Sequence, residues 1–255
     1  MAVVPLSDDY PIRRVPVVTY TLIAVTVAVY LLSPLSLMAV WYSAEPLVRF
    51  CQQDLYVLRW GAIPVELLTG DQLPGTPPSC GGDAAEFTKY PWVAALTAQF
   101  LHGDEFHLLF NMIYLFVFGP TVEDRLGRVR YGLFYLGTGI AATVGFSLGE
   151  PSSGIPLVGA SGAILGVLGA YMVVQFRSRV VSLVFGLIPV RLPGWAFVAT
   201  YFLIDYVHYV NQGLLPDTQT EVAYGAHVYG FIAGVIGGLL VYRIRWRGGP
   251  RLNVG

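Results

Sequence analysis

Gly159-Ala160-Ser161-Gly162-Ala163-Ile164-Leu165-Gly166 opens an uncharged run that continues to Phe176. It is small, flexible and almost wholly apolar, with one hydroxyl in its middle. A serine between glycines at the mouth of an apolar helix has two readings. Small residues let membrane helices approach closely, and taken alone this packing reading is the stronger. The other is a nucleophile, with glycines leaving room for a substrate backbone and a free amide for an oxyanion. The positions of the four histidines change the balance.

Hydrophobic residues make up 55 % of the 255-residue chain and charged residues 12 %. That charged share is about half the globular norm of roughly 25 %. With a mean hydropathy of +0.61, the composition is that of an integral membrane protein. The net charge of −1 supplies no bulk attraction to nucleic acid. The 29 glycines and 14 % aromatic residues suit close helix packing and interfacial belts.

The expected architecture is all-α, a polytopic membrane protein with a bundle of six transmembrane helices. Residues 1–14 form a leader ending in Arg13-Arg14, and 15–34 form span one. The uncharged run of span one is longer than the roughly 7–15 apolar residues of a cleaved signal peptide. Residues 35–92 hold acidic residues, prolines, glycines and both cysteines, and read as an external loop or lid with some amphipathic helix. Residues 93–243 carry spans two to six. The apolar runs are 106–122 (with a helix starting as early as Val93), 131–149, 158–176, a stretch from near Pro193, and 222–242. Residues 244–255 are a tail.

Twelve of the 15 basic residues fall before span one, between spans two and three, between four and five, or after six. The others, Arg49, Arg59 and Lys89, lie in the 35–92 loop. The positive-inside rule therefore places both termini in the cytoplasm and that loop outside. Cys51 and Cys80 both sit in this outer loop. An oxidising compartment favours a disulfide between them, the alternative being two reduced thiols in an apolar lid. No Cys-x-x-Cys or His-x-x-x-His spacing points to a metal.

His227 lies near the outer end of span six, where an ionisable group is costly and marks a functional site. Gly230, Gly234 and Gly238 follow at intervals of four, a small-residue face with His227 one turn before it. Span four, with Gly162, Gly166 and Gly169, is the natural partner. A serine and a histidine would then meet below the outer surface, as a base-activated nucleophile requires; the alternative is a packing histidine. In span two, His107 and Asn111 share one helix face and offer donors for an oxyanion, or an interhelical hydrogen bond. His102 reads as a capping or interfacial residue. Asp205 and His208 in span five read as a structural polar pair near the interface, with Asp205 as a third member behind His227 the alternative.

Together these stretches resemble the rhomboid family of intramembrane serine proteases. Gly159-Ala160-Ser161-Gly162 is similar to its Gly-x-Ser-Gly nucleophile motif, and Ala226-His227-x-x-Gly230 to its catalytic histidine segment. His107-x-x-x-Asn111 is similar to its oxyanion motif, and Phe100-Leu101-His102 with Phe118-Gly119 fit the flanks. The resemblance covers about residues 90–240. It implies a six-helix rhomboid-like bundle with Ser161 as nucleophile and His227 as base. His107, Asn111 and the Ser161 amide would be the oxyanion donors. It also implies a Ser/His dyad without carboxylate, metal or cofactor. The chain departs from the family at Tyr90-Pro91-Trp92, where a Trp-Arg pair is frequent, and at Leu165, where many members carry an aromatic residue.

The reading is therefore an endopeptidase cutting in or beside transmembrane segments of other proteins, in a prokaryotic cytoplasmic membrane. A catalytically inactive client-binding relative and a small proton-coupled transporter are the rival readings. The oligomeric state is not legible from the sequence. The topology is directly testable. A reporter fused after Gly255 should behave as cytoplasmic and one inserted near Gly75 as external; the reverse pattern would overturn the placement of Ser161 on the outer side.

Overall fold

The computed structural model describes residues 3–73, 88–184, 187–214 and 222–248. Six long helices lie at the positions of the expected spans. They are α1 (Val17–Leu32), α5 (Glu105–Leu126), α6 (Arg128–Gly149), α7 (Ser161–Val174), α8 (Gly194–Leu214) and α9 (Tyr224–Gly248). By length and apolarity α5 and α6 suffice to cross a membrane; Val17–Leu32, Ser161–Val174 and Tyr224–Leu240 are shorter apolar segments. Helix α9 continues through Gly248, past the start of the expected tail.

The bundle is built around α7. Residues 162–171 are buried without interruption, and a helix apolar on every side belongs at a core. It packs against α9, α6, α5 and α8. The contact with α9 is backbone to backbone. A Cβ on Gly230 would lie 2.1 Å from the Gly162 carbonyl oxygen, and one on Gly234 would lie 2.0 Å from that of Gly166. Behind this seam sit Phe118, Tyr131, Tyr135 and Tyr171, all fully buried.

The chain is not all-α. A three-stranded antiparallel sheet joins β1 (Val3–Asp8) to β2 (Arg179–Val184) and β3 (Ile188–Pro193). Val3 pairs with Val184 and Asp8 with Val180, with a register shift between Pro5 and Ser7. Pro5 has no amide to give the ladder, which suits an irregularity there. The strands are rich in β-branched residues, but the leader is short and its partner is far along the chain. No local periodicity announces such a pairing. Asp9 fastens the sheet's end, accepting from the Arg179 amide at 2.7 Å and from Arg191 Nη2 at 2.8 Å. Those two contacts, the amide first, hold its carboxyl below the usual carboxylate range. The Thr121 hydroxyl donates to Asp8 and the Tyr10 hydroxyl to Asp124, tying the leader to α5.

Helix α1 begins without a side-chain cap of its own. Glu123 of α5 supplies one, accepting from the Val18 amide, the Thr19 amide and the Thr19 hydroxyl at 3.0, 2.8 and 2.8 Å. A carboxylate at a helix N-terminus satisfies orphan donors and opposes the helix dipole.

The segment from 35 to 73 is folded. It carries α2 (Pro46–Trp60), which has no fully buried residue, and α3 (Pro64–Thr69). Cys51 is disulfide-bonded, while Cys80 lies outside the described residues. The Lys89 ammonium and the Glu66 carboxylate meet at 2.6 Å, almost wholly buried. Burial pushes Lys89 below the usual lysine range and Glu66 pulls it back. Glu66 also accepts from the Leu73 amide. One carboxylate thus holds both flanks of residues 74–87.

The α7–α9 seam makes a sharp prediction for detergent-solubilised protein. Gly234→Ala should lower unfolding stability by about 1–3 kcal/mol or more through overpacking against backbone. Gly137→Ala, where a Cβ meets nothing within 4 Å, should stay within about 0.5 kcal/mol of the parent. Equal stability of both variants in a denaturant titration would contradict the seam.

Candidate active site

The approach to α7 is a loop held by the segment around Ala62 and Val65. The Val65 amide donates to Ser153 at 3.1 Å, and Ala62 and Leu157 exchange two backbone bonds of 3.0 and 2.7 Å. The Gly159 amide then donates to Ala98 at 2.9 Å. Gly159 itself has φ +129°, a conformation L-residues rarely adopt. A Cβ there would stand 2.9 Å from both Cε1 and Nε2 of His107. The bare Cα is therefore needed twice, for the turn and for the imidazole lying on it. Two residues later Ser161 begins α7, half-buried. An amide in the first turn of a helix has no intrahelical acceptor.

His107 and Asn111 reach the same place from α5. Asp104 caps that helix, accepting from the Phe106 and His107 amides at 2.8 and 2.9 Å. The cap ends the preceding helix, α4 (Pro91–Thr97), with its short 3-10 turn at Ala98–Phe100. Helix α5 therefore starts at Glu105 and not near Val93. Asn111 is 8 % exposed, and its Nδ2 is a buried donor without a partner among the described residues. Buried donors are normally satisfied, so an orphan beside a serine is informative.

His227 comes from the first turn of α9 and is buried. Its Nδ1 lies 2.8 Å from Asp205 Oδ2 of α8, itself buried. With Nδ1 so engaged, Nε2 is the ring nitrogen left for the cavity. Ser161, His227, His107 and Asn111 all line one cavity of about 1010 Å³. No direct hydrogen bond joins Ser161 to His227 among the described residues. Catalytic hydrogen bonds are often long in unliganded sites and tighten on substrate.

Three features differ from the sequence reading. Asp205 pairs with His227, whereas His208 is exposed and stacks on Tyr224 at 4.8 Å. His102 is not interfacial: it is fully buried, its ring edge-on to His107 at 4.9 Å. Tyr224, unremarked in the sequence, sets its ring 5.9 Å from that of His227. Leu165 is buried at the cavity wall. Interhelical partnerships of this kind leave no spacing signal, because each residue's own helix period is satisfied without them.

A family model described as the Rhomboid domain matches residues 89–244. The rhomboid protein YdcA of Bacillus subtilis (strain 168) is 40 % identical over 92 residues, 36 % of this chain and 46 % of that one. Rhomboid protease GluP of the same organism is 39 % identical over 88 residues, 34 % of this chain and 17 % of its own length. Rhomboid protein 1, mitochondrial, of Saccharomyces cerevisiae is 30 % identical over 151 residues, covering 57 % and 41 %. The chain thus spans half or less of the length of these relatives. With more than half of its residues inside the domain, and the motif-bearing helices all within the match, the chain belongs to the rhomboid family of integral membrane proteins.

Proposed function

We propose that the protein is an intramembrane serine endopeptidase that cleaves peptide bonds in or beside transmembrane segments of other membrane proteins. The observation that carries this reading is the shared cavity of Ser161 and His227, with the unpartnered Asn111 donor and the His107 ring beside them. Six spans, both termini in the cytoplasm, a Cys51–Cys80 disulfide in the external segment and a prokaryotic cytoplasmic membrane complete the proposal.

In this mechanism Ser161 Oγ attacks the scissile carbonyl carbon and gives its proton to His227 Nε2. The carbonyl oxygen becomes an oxyanion, held by Asn111 Nδ2, the His107 ring and the Ser161 amide. Collapse expels the amine, which takes the proton from His227. Water then attacks the acyl-enzyme with the same base. The substrate helix must unwind locally first, because helical carbonyls are already hydrogen-bonded.

The test is a graded series on one transmembrane substrate in detergent or liposomes. Ser161→Ala and His227→Ala should abolish cleavage. Asn111→Ala should lose roughly 100–1000-fold, the usual effect of removing one oxyanion donor. Gly159→Ala should also fall severely, since its Cβ displaces His107. A fluorophosphonate should label wild type at Ser161 and fail on Ser161→Ala. Folded Ser161→Ala protein that cuts at the wild-type rate would overturn the proposal. An unlabelled, non-cleaving wild type that still captures membrane clients would favour the inactive relative, and proton-coupled uptake surviving Ser161→Ala the transporter.

A further inference from the structure

We infer that Asp205 is a positioning residue for the base, so that the working unit is Asp205–His227–Ser161 and not a bare dyad. The inference rests on the protease reading above and deepens it.

Asp205 sits within α8 at 6 % exposure. A carboxylate withdrawn from water is costly unless paired. Its hydrogen-bond partner is the His227 Nδ1, at 2.8 Å. A staple between α8 and α9 would be the bland explanation. The two helices, however, are already joined by Phe202 and Phe231, whose rings stack at 4.0 Å. An apolar residue at 205 would extend that contact without burying a charge. The carboxylate also engages one particular atom. Accepting from Nδ1–H fixes the neutral tautomer in which the Nε2 lone pair serves the cavity that Ser161 lines.

The proton count is simple. As the Oγ–carbonyl bond forms, the Ser161 proton moves to Nε2, and the imidazolium lies against the Asp205 carboxylate. As the carbonyl–nitrogen bond breaks, the same proton leaves on the amine and the imidazole is neutral again. Asp205 keeps its charge throughout and never takes the proton. The ionisable groups around His227 and its cavity are Asp104, the cap of α5, His107 and Tyr114 from α5, Glu150 after α6, Tyr201 and Asp205 from α8, and Tyr224 on its own helix. Asp205 stands at hydrogen-bond distance and brings the carboxylate that favours an imidazolium.

The experiment uses the full chain in proteoliposomes, with kcat and KM on a transmembrane substrate and fluorophosphonate labelling. Asp205→Asn should cut kcat and labelling rate by about 100-fold or more with KM little changed, because an amide can hold the wrong tautomer. Asp205→Glu, which keeps the charge on a longer arm, should recover part of the rate. A purely structural Asp205 would lower thermal stability while leaving kcat, KM and labelling rate of the folded protein unchanged. That result overturns the inference. If Asp205→Asn does not fold, Asp205→Glu decides alone: a slowed kcat and labelling rate at unchanged KM support the inference, and wild-type values for both rates overturn it. Wild type that neither labels nor cleaves would instead overturn the protease reading itself.

Discussion

The closest constraint in the molecule is the backbone contact between α7 and α9. Gly162 faces Gly230 and Gly166 faces Gly234, each carbonyl resting where a Cβ would have to be. Gly238 meets Ala170 further along, so the two helices run side by side in one constant register. That register also places the two residues of the proposed dyad. Ser161 immediately precedes Gly162, and His227 is one turn before Gly230. Sliding either helix by a turn would break the glycine contacts and part the hydroxyl from the imidazole in one movement. Because interhelical attraction in a membrane comes from close packing more than from the hydrophobic effect, the same glycines both hold the bundle and align the site.

The seam sets the helices; the folded 35–73 segment sets the loop that feeds them. Residues 151–160 must turn sharply into α7 through a positive-φ glycine, a conformation that surrounding structure has to hold. The backbone bonds from Ala62 and Val65, and the Ala98 carbonyl on Gly159, provide that hold. Ala62 and Val65 belong to the folded segment that Glu66 and Lys89 fasten with a buried ion pair. Such a pair adds little net stability but is expensive to break. It suits a part whose task is to fix one conformation of a loop.

What the sequence discloses follows from the range of the interaction. The one-turn spacing of His107 and Asn111 and the four-residue spacing of Gly230, Gly234 and Gly238 are local, and a helix period converts them directly into faces. The Asp104 cap is equally local, yet the largely apolar and helical stretch from Trp92 to Phe100 before it leaves a start near Val93 open to a sequence reading. The sheet was hidden because β1 needs a partner some 175 residues away in the chain, and a six-residue strand has no period long enough to declare itself. The Asp205–His227 bond was hidden for a related reason. Spacing along the chain cannot say which faces of α8 and α9 meet. His102, read as a capping or interfacial residue, is fully buried with its ring against that of His107.

Helix α7 is also short for a membrane-spanning element. Its 14 residues at 1.5 Å each span about 21 Å, well short of the roughly 30 Å of a hydrocarbon core. A helix of that length with its inner end at one interface begins about 9 Å below the other. The chain above it is loop, and irregular backbone at such depth is tolerated only where protein or a water-filled cavity surrounds it. Both conditions are met here. The loop's amides and carbonyls bond to the segment around Ala62 and Val65, and the cavity in front of Ser161 is lined by polar groups from five helices, Asn111, Thr143, Ser161, Tyr201 and His227 among them. The proposed protease would need water at an acyl-enzyme, and oxyanion donors are strongest where bulk water is excluded. A recessed serine at the end of a short central helix, facing a polar pocket walled by apolar helices, would suit both demands at once.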